Sequence, residues 1–394
     1  MWFERRSSTG RATAGSHYPE LDGLRGLAIA QILVYHYFTV LLANAPAQSV
    51  LAYAQAASKF CWAGVDLFFV ISGFLVTTVL RRDLTGQRPA MAFYTRRAFR
   101  ILPLYFLSLG IAGLLAQSSW APPVLTVDNY PWWSYFLLLQ NFELAATGSF
   151  GGLWLAPTWS LAIEEQFYLI LPVMFLFARQ RTLLVVCCVL ILAAPMLRAV
   201  HEFPASYSLP YCRADGLFFG VLLALAWESS RAREFIYRHP NLLAATTAIA
   251  SIAFAACALR FSSAGGVLNH LVFSIFFGLL LLTLLTRIWV PLNAIFRTRA
   301  LTWLGERSYP LYLMHFGVLA LSFAAFEAPL QLDSARSWSI MALALVASLA
   351  VSDVLHRVIE KPMIRRGRAL SKRLSAPDSV ATSPQSPVSG ESVT

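Results

Sequence analysis

Apolar runs long enough to cross a bilayer recur from one end of this 394-residue chain to the other. Ten read as transmembrane spans of about 17 to 25 residues, near 24–44, 61–80, 99–117, 158–178, 182–200, 211–228, 241–259, 268–286, 308–327 and 338–356. The chain is 57% hydrophobic and only 13% charged, against about 25% charged in an ordinary soluble domain. A soluble core cannot hide so many runs. In lipid each run must satisfy its own backbone polar groups, so the expected fold is an all-α polytopic membrane protein. An eleventh apolar stretch, 134–145, is too short to cross and reads as re-entrant or interfacial.

Charge placement orients this arrangement. With both termini in the cytoplasm, 26 Lys and Arg fall on the inner side and five on the outer side, the five being Lys59, Arg198, Arg213, Arg260 and Arg336. That asymmetry follows the positive-inside rule, and treating 134–145 as a full span would largely erase it. The net charge of +11 therefore reads as an orientation signal. It forms no folded basic domain or aromatic-interleaved stripe of the kind that binds nucleic acid. The expected organisation is a flexible cytoplasmic N-terminus (1–17), one membrane domain (18–368) and a Ser/Pro-rich, disordered cytoplasmic tail (369–394). Residues 1–17 show no cleavable signal-peptide pattern. The outer loop 118–133 carries prolines and three tryptophans, suiting an interfacial belt. Cys61, Cys187, Cys188, Cys212 and Cys257 have no CxxC or zinc spacing and read as packing residues.

Ionisable residues inside such runs are costly and mark function or partnership. Arg25 and His36 are eleven residues apart in the first span. That spacing ends about 20° past three full turns, so both share a face, separated by roughly 16 Å along the axis. Arg25 serves as a snorkelling anchor or as an anion-binding group; His36 serves as structural glue or, with its near-neutral titration, as a general base. Arg97 and Arg100 share a face at the cytoplasmic surface, where two guanidinium groups can clamp phosphates or simply orient the chain. In "WSLAIEEQFY", Ser160, Glu164, Phe167 and Tyr168 share a helical face. Glu164 can orient a histidine or hold an acceptor hydroxyl there, or form a salt bridge with Arg213, while Glu165 faces the outer surface.

His315 lies roughly 10 Å along the helix from Ser308 and reads as pocket lining, a helix-pairing group or a catalytic residue. Ser72 and Gly73 permit close helix approach or make room for a slender ligand. Asp66 marks the same span; Arg213 and Asp215 read as an outer polar pair, and Glu360 as a tether for the last helix. His17, His201, His239, His270 and His356 fall near span ends and call for no special role. With no HExxH and no ligand-spaced cluster, no catalytic metal is expected.

"LDGLRGLAIAQILVYHYF" resembles the first-span signature of the acyltransferase-3 family of membrane proteins. Further segments agree in order: "GVDLFFVISGFLV" (64–76), "RRAFRILPLY" (96–105), "TWSLAIEEQFYLILP" (158–172), "RADGLFFG" (213–220), "SYPLYLMHF" (308–316) and "IEKP" (359–362). The resemblance covers nearly all of residues 18–368. It implies a bacterial inner-membrane enzyme carrying an acyl group, often acetyl, from cytoplasmic acyl-CoA to a hydroxyl. Acceptors in such a family are sugars of surface polysaccharides or lipo-oligosaccharides, and in some members macrolides. The family's RxxR motif falls on Arg97 and Arg100, its carboxylate on Glu164, and a supporting role on His315, with Ser308 and Tyr309 beside it. Some relatives carry an extra extracytoplasmic esterase-like domain, which this sequence does not show, so the membrane domain is expected to work alone, as a homo-oligomer or with polysaccharide-assembly partners.

The expected mechanism holds acyl-CoA phosphates on Arg25, Arg97 and Arg100, with the pantetheine arm reaching His36. Transporter, flippase and scaffold readings remain as alternatives. The first two are disfavoured by the absence of obvious inverted repeats.

Overall fold

A computed structural model describes residues 18–42, 48–84, 86–119, 121–125, 130–260 and 266–375. The expectations for 1–17, His17, Trp120, the Arg260 side chain and 376–394 lie outside the described residues. All regular structure among the described residues is helical. The chain begins with α1 (Pro19–Leu33), opened by a proline in its first turn, which continues without a break as a π-helix over Val34–Thr39. Next come α2 (Val50–Ser58), a 3-10 turn, α3 (Gly64–Asp83) and α4 (Pro89–Ala116). The expected third span starts near 99, but α4 begins at Pro89 and contains Pro103 in its interior. Arg97 and Arg100 therefore sit two to three turns inside a long helix, and not at its start.

The stretch around 134–145 breaks into α5 (Trp132–Phe136) and α6 (Gln140–Thr147), separated at Leu138, whose φ is 57°. Then follow α7 (Thr158–Phe177), α8 (Gln180–Ala199), α9 (Ala205–Ser208), α10 (Ala214–Glu228), α11 (Ser230–Arg238), α12 (Pro240–Arg260) and α13 (Asn269–Thr286). Short α14 (Val290–Phe296) and α15 (Arg299–Glu306) lead to α16 (Ser308–Ala325). The chain closes with α17 (Ala335–Leu355), a π-turn (His356–Glu360) and α18 (Lys361–Ser375).

Eight helices among the described residues are long and apolar enough to cross a membrane. The other two expected spans, 24–44 and 211–228, correspond to α1 and α10, whose α-helical parts are 15 residues each. α17 and α18 form one helical rod, 41 residues long with its π-turn, so helix continues past the expected boundary at 368 to Ser375. The reason is packing: Gly367 and Ser371 are buried, and a Cβ on Gly367 would meet the Phe99 Cβ of α4 at 2.7 Å. Glu360, expected to tether this helix, is 2% exposed and accepts from His356 Nδ1 at 2.7 Å.

Two close helix crossings fix the frame around α1 and α3. Gly73 of α3 and Gly220 of α10 let the backbones touch: an added Cβ would stand 2.0 Å from the Leu217 carbonyl oxygen and 2.3 Å from that of Val70, respectively. Gly73 is thus a packing residue, whereas its neighbour Ser72 turns to the interior space described below. α1 meets α15 similarly, with Gly26 against the Leu301 carbonyl oxygen. The free cysteines Cys61, Cys187 and Cys212 are buried in this apolar packing.

Candidate active site

A cavity of about 220 Å³ opens between α1, α3, α4, α7 and α16. Seven of the residues singled out from sequence line it: Arg25, Ser72, Arg97, Arg100, Glu164, Ser308 and Tyr309. They arrive on five helices, Arg97 and Arg100 together on α4 and Ser308 and Tyr309 together on α16. Arg25 Nη2 donates to Ser308 Oγ at 2.8 Å, and its Nη1 lies 3.8 Å from Asp22 one turn earlier. Arg97 lies over the Tyr168 ring at 5.1 Å and the Phe93 ring at 5.8 Å, which is cation–π distance. Tyr168 donates to Glu164 Oε2 at 3.3 Å and is hydrogen-bonded to Ser72. Tyr309 is held by donation to the Ile101 carbonyl at 2.7 Å.

Charge pairing inside the cavity is sparse. Among the described residues, no opposite charge lies within 4.0 Å of Arg97, Arg100 or Glu164. These groups face the space more than they face one another. That arrangement suits an anionic, hydrogen-bonding guest, since guanidinium groups bind phosphate through paired donors.

His36 and His315 do not line this cavity. They form a pair beside it: His36 Nδ1 and His315 Nε2 are 2.8 Å apart, with ring centroids separated by 5.0 Å. The pair fixes its own tautomers. His315 Nδ1 faces two acceptors, the Tyr312 carbonyl at 2.8 Å and the Leu311 carbonyl at 3.1 Å, so Nδ1 carries the proton. Its Nε2 then accepts, and His36 Nδ1–H must donate. The remaining nitrogen of His36, Nε2, therefore carries a lone pair. His36 is half-buried while His315 is fully buried. A second support holds this pair: Tyr37 donates to the His315 carbonyl at 2.8 Å and is bonded to Ser348 at 2.7 Å.

Arg25 and His36 both bond to α16, one at Ser308 and one at His315, but only Arg25 lines the cavity. Sequence did not reveal that His36 sits in a π-turn, a wider turn often found at functional sites. The link between histidine pair and cavity is Tyr312, which lines the cavity and lies 6.0 Å from His315, ring to ring. Its hydroxyl donates to the Pro157 carbonyl at 2.7 Å and bonds Ser160 Oγ at 2.6 Å. Neither Tyr312 nor Tyr168 was read as a site residue; both lie one turn from residues that were.

Asp66 and Arg213 are placed elsewhere. They form a buried cluster with His270: Arg213 Nη2 donates to Asp66 Oδ1 at 2.8 Å, and His270 Nδ1 lies 3.0 Å from the same oxygen. Arg213 also contacts His270 and stacks over Phe69 and Tyr207. The expected Arg213–Asp215 pair is replaced, since residues two apart on a turn point away from one another. Asp215 instead accepts from Arg198 Nη2 at 2.7 Å. Arg213 consequently makes no salt bridge to Glu164 either. Two further corrections follow. His270, read as unremarkable, is fully buried in this cluster. Glu165, expected at the outer surface, turns inward, with a buried Oε1 lacking a hydrogen-bond partner among the described residues. No group of three His, Cys, Asp or Glu among the described residues could hold a metal ion.

Comparison with known proteins places these features. The family model described as an acyltransferase domain matches residues 18–357. The chain is 26% identical to the peptidoglycan O-acetyltransferase OatA of Listeria monocytogenes over 89% of its own length and 56% of the relative's. It is 27% identical to the provisionally named peptidoglycan O-acetyltransferase YrhL of Bacillus subtilis, over 91% of its length and 57% of the relative's. A provisionally named O-acetyltransferase of Staphylococcus aureus is also 27% identical, over 91% of this chain and 59% of its own. The chain thus spans under two thirds of the length of these curated relatives. No solved structure matches it. With the cavity and helices described above falling inside the matched region, this membrane chain belongs to the acyltransferase-domain family.

Proposed function

We propose that the chain moves an acyl group, most simply acetyl, from cytoplasmic acyl-CoA to a hydroxyl of a surface glycan in the inner membrane of a bacterium. Membership of the acyltransferase family and the O-acetyltransferase names of its relatives support the reaction class. The observation that carries the reading is the cavity itself, where Arg25, Arg97 and Arg100 face open space with one carboxylate, Glu164. The positive-inside rule supports a cytoplasmic location for the arginine-bearing ends of α1 and α4, the side of the donor in this reading.

In this mechanism the guanidinium groups hold the anionic end of acyl-CoA, and the pantetheine arm runs along the cavity toward Tyr312. The acceptor hydroxyl lies between the thioester carbon and Nε2 of His36. The anchored Tyr312 ring stands between the two compartments, so the acceptor approaches past its edge. Nε2 takes the hydroxyl proton as the oxygen attacks the carbonyl carbon. The C–O bond forms, the C–S bond breaks, and the departing thiolate takes the proton back from the imidazolium. His315 is a positioning residue that presents the reactive tautomer of His36. Glu164, held by Tyr168, orients the donor arm or the acceptor hydroxyl from the cavity side.

The test uses the full chain in nanodiscs with acetyl-CoA, an oligosaccharide acceptor and a thiol reagent that reports free CoA. Wild type should release CoA, while Arg97→Ala/Arg100→Ala should raise the KM for acetyl-CoA. A well-folded wild type that releases no CoA from any acyl-CoA, or that moves the glycan unaltered across the bilayer, overturns the reading in favour of a transporter.

A further inference from the structure

The cavity meets α3 along one stripe. Phe68, Ser72, Leu75 and Val79 all line it, at spacings of four, three and four residues that keep one helix face. All four are partly exposed, on a helix whose other residues are mostly buried. The stripe is about 16 Å long. Ser72 divides it: here Tyr168 and Glu164 close a polar girdle across from α3. Toward the start of α3 the walls are Val65, Phe68, Phe69, Leu161, Ser160 and Tyr312. Only about 6 Å of helix separates the girdle at Ser72 from Phe68.

Two rings line that end. Phe68 and Tyr312 meet nearly edge to face, centroids 6.3 Å apart and planes at 70°. Tyr312 is anchored through its hydroxyl to Pro157 and Ser160, and Phe68 has no such anchor. We propose that Phe68, backed by Tyr312, is a length gauge that admits a short acyl group and rejects a long one. This rests on the acyl-CoA reading above. A chain extended past the polar girdle runs into the Phe68 ring, which cannot move outward without displacing anchored Tyr312 or buried Phe69 and Val65. The gauge thus sets which acyl-CoA is used, while Arg25, Arg97 and Arg100 set how well any of them is held.

The experiment measures kcat/KM of the full chain in nanodiscs with acetyl-, butyryl-, hexanoyl- and octanoyl-CoA. Wild type should favour acetyl, falling by about tenfold or more as the pocket is outgrown, the usual discrimination of an apolar pocket against surplus methylenes. Phe68→Ala should keep acetyl transfer and raise butyryl or hexanoyl use at least about tenfold relative to acetyl. Phe68→Leu, which better preserves packing, should shift preference in the same direction by less. Val79→Ala, at the other end of the stripe, should leave the preference unchanged. A wild type that uses octanoyl-CoA as readily as acetyl-CoA overturns the gauge. So does an unchanged preference in both Phe68 variants while acetyl transfer persists. A wild type inert toward every acyl-CoA overturns instead the acyl-CoA reading on which the gauge rests.

Discussion

Two charged regions lie inside this largely apolar bundle, and they are built on opposite plans. In the cluster of Asp66, Arg213 and His270, with Arg198 and Asp215 beside it, each carboxylate has an arginine within 2.8 Å and every member is at most 3% exposed. In the cavity, Arg97, Arg100 and Glu164 have no such partners and face a space of about 220 Å³. Buried charges that find one another hold helices in register. Half-buried charges kept apart beside a void are arranged for something that enters. The difference separates architecture from chemistry more sharply than residue type does, since both regions use arginine, carboxylate and, nearby, histidine.

Substitutions can break this contrast. The largest effect is expected from His36→Ala: transfer should fall by roughly 10²- to 10⁴-fold, the usual contribution of a general base, with stability lowered only by about 1–3 kcal/mol for the lost bond to His315. Arg213→Ala should act on folding instead. Leaving Asp66 buried without its arginine, with only His270 beside it, costs about 3–5 kcal/mol, seen as a large drop in melting temperature. Arg97→Ala, by contrast, should cost far less stability. If the two arginine variants melt alike, the distinction between the regions fails.

Glu164→Gln should retain the fold and slow turnover by about 10- to 150-fold, the equivalent of one charge-assisted hydrogen bond of about 1.5–3 kcal/mol. Gly73→Ala sharpens the architectural side, since it forces α3 from α10 at a 2.0 Å contact and should lower stability by about 1–3 kcal/mol. The smallest effect is expected from Tyr37→Phe, about 1 kcal/mol of stability. Its activity should survive, because the Tyr312 and Leu311 carbonyls still fix the His315 tautomer.

Much of the cavity was legible in the sequence, and the reason is cost. An arginine or glutamate within an apolar run is expensive enough to require a purpose, so Arg25, Arg97, Arg100 and Glu164 stood out. What sequence could not supply was partnership. Arg213 and Asp215 look like a pair on paper, yet a turn directs them to Asp66 and Arg198, which are distant in the chain. Glu165 looked peripheral beside Glu164 because one residue of helix is a 100° rotation, and α7 is covered by protein on more than one side. The histidine pair was half legible. Both rings were noticed, but the contact that sets their protonation depends on how α1 and α16 pack. Tyr312, the residue joining pair and cavity, is an unexceptional aromatic in an apolar run.

The π-turn at Val34–Thr39 makes the direction of one imidazole a matter of chain length. An α-helix advances 100° per residue, so deleting a single residue between Leu33 and His36 would regularise the turn and swing the ring to another side of the helix. The same amino acids, one fewer in number, would then leave His315 with no imidazole to accept from.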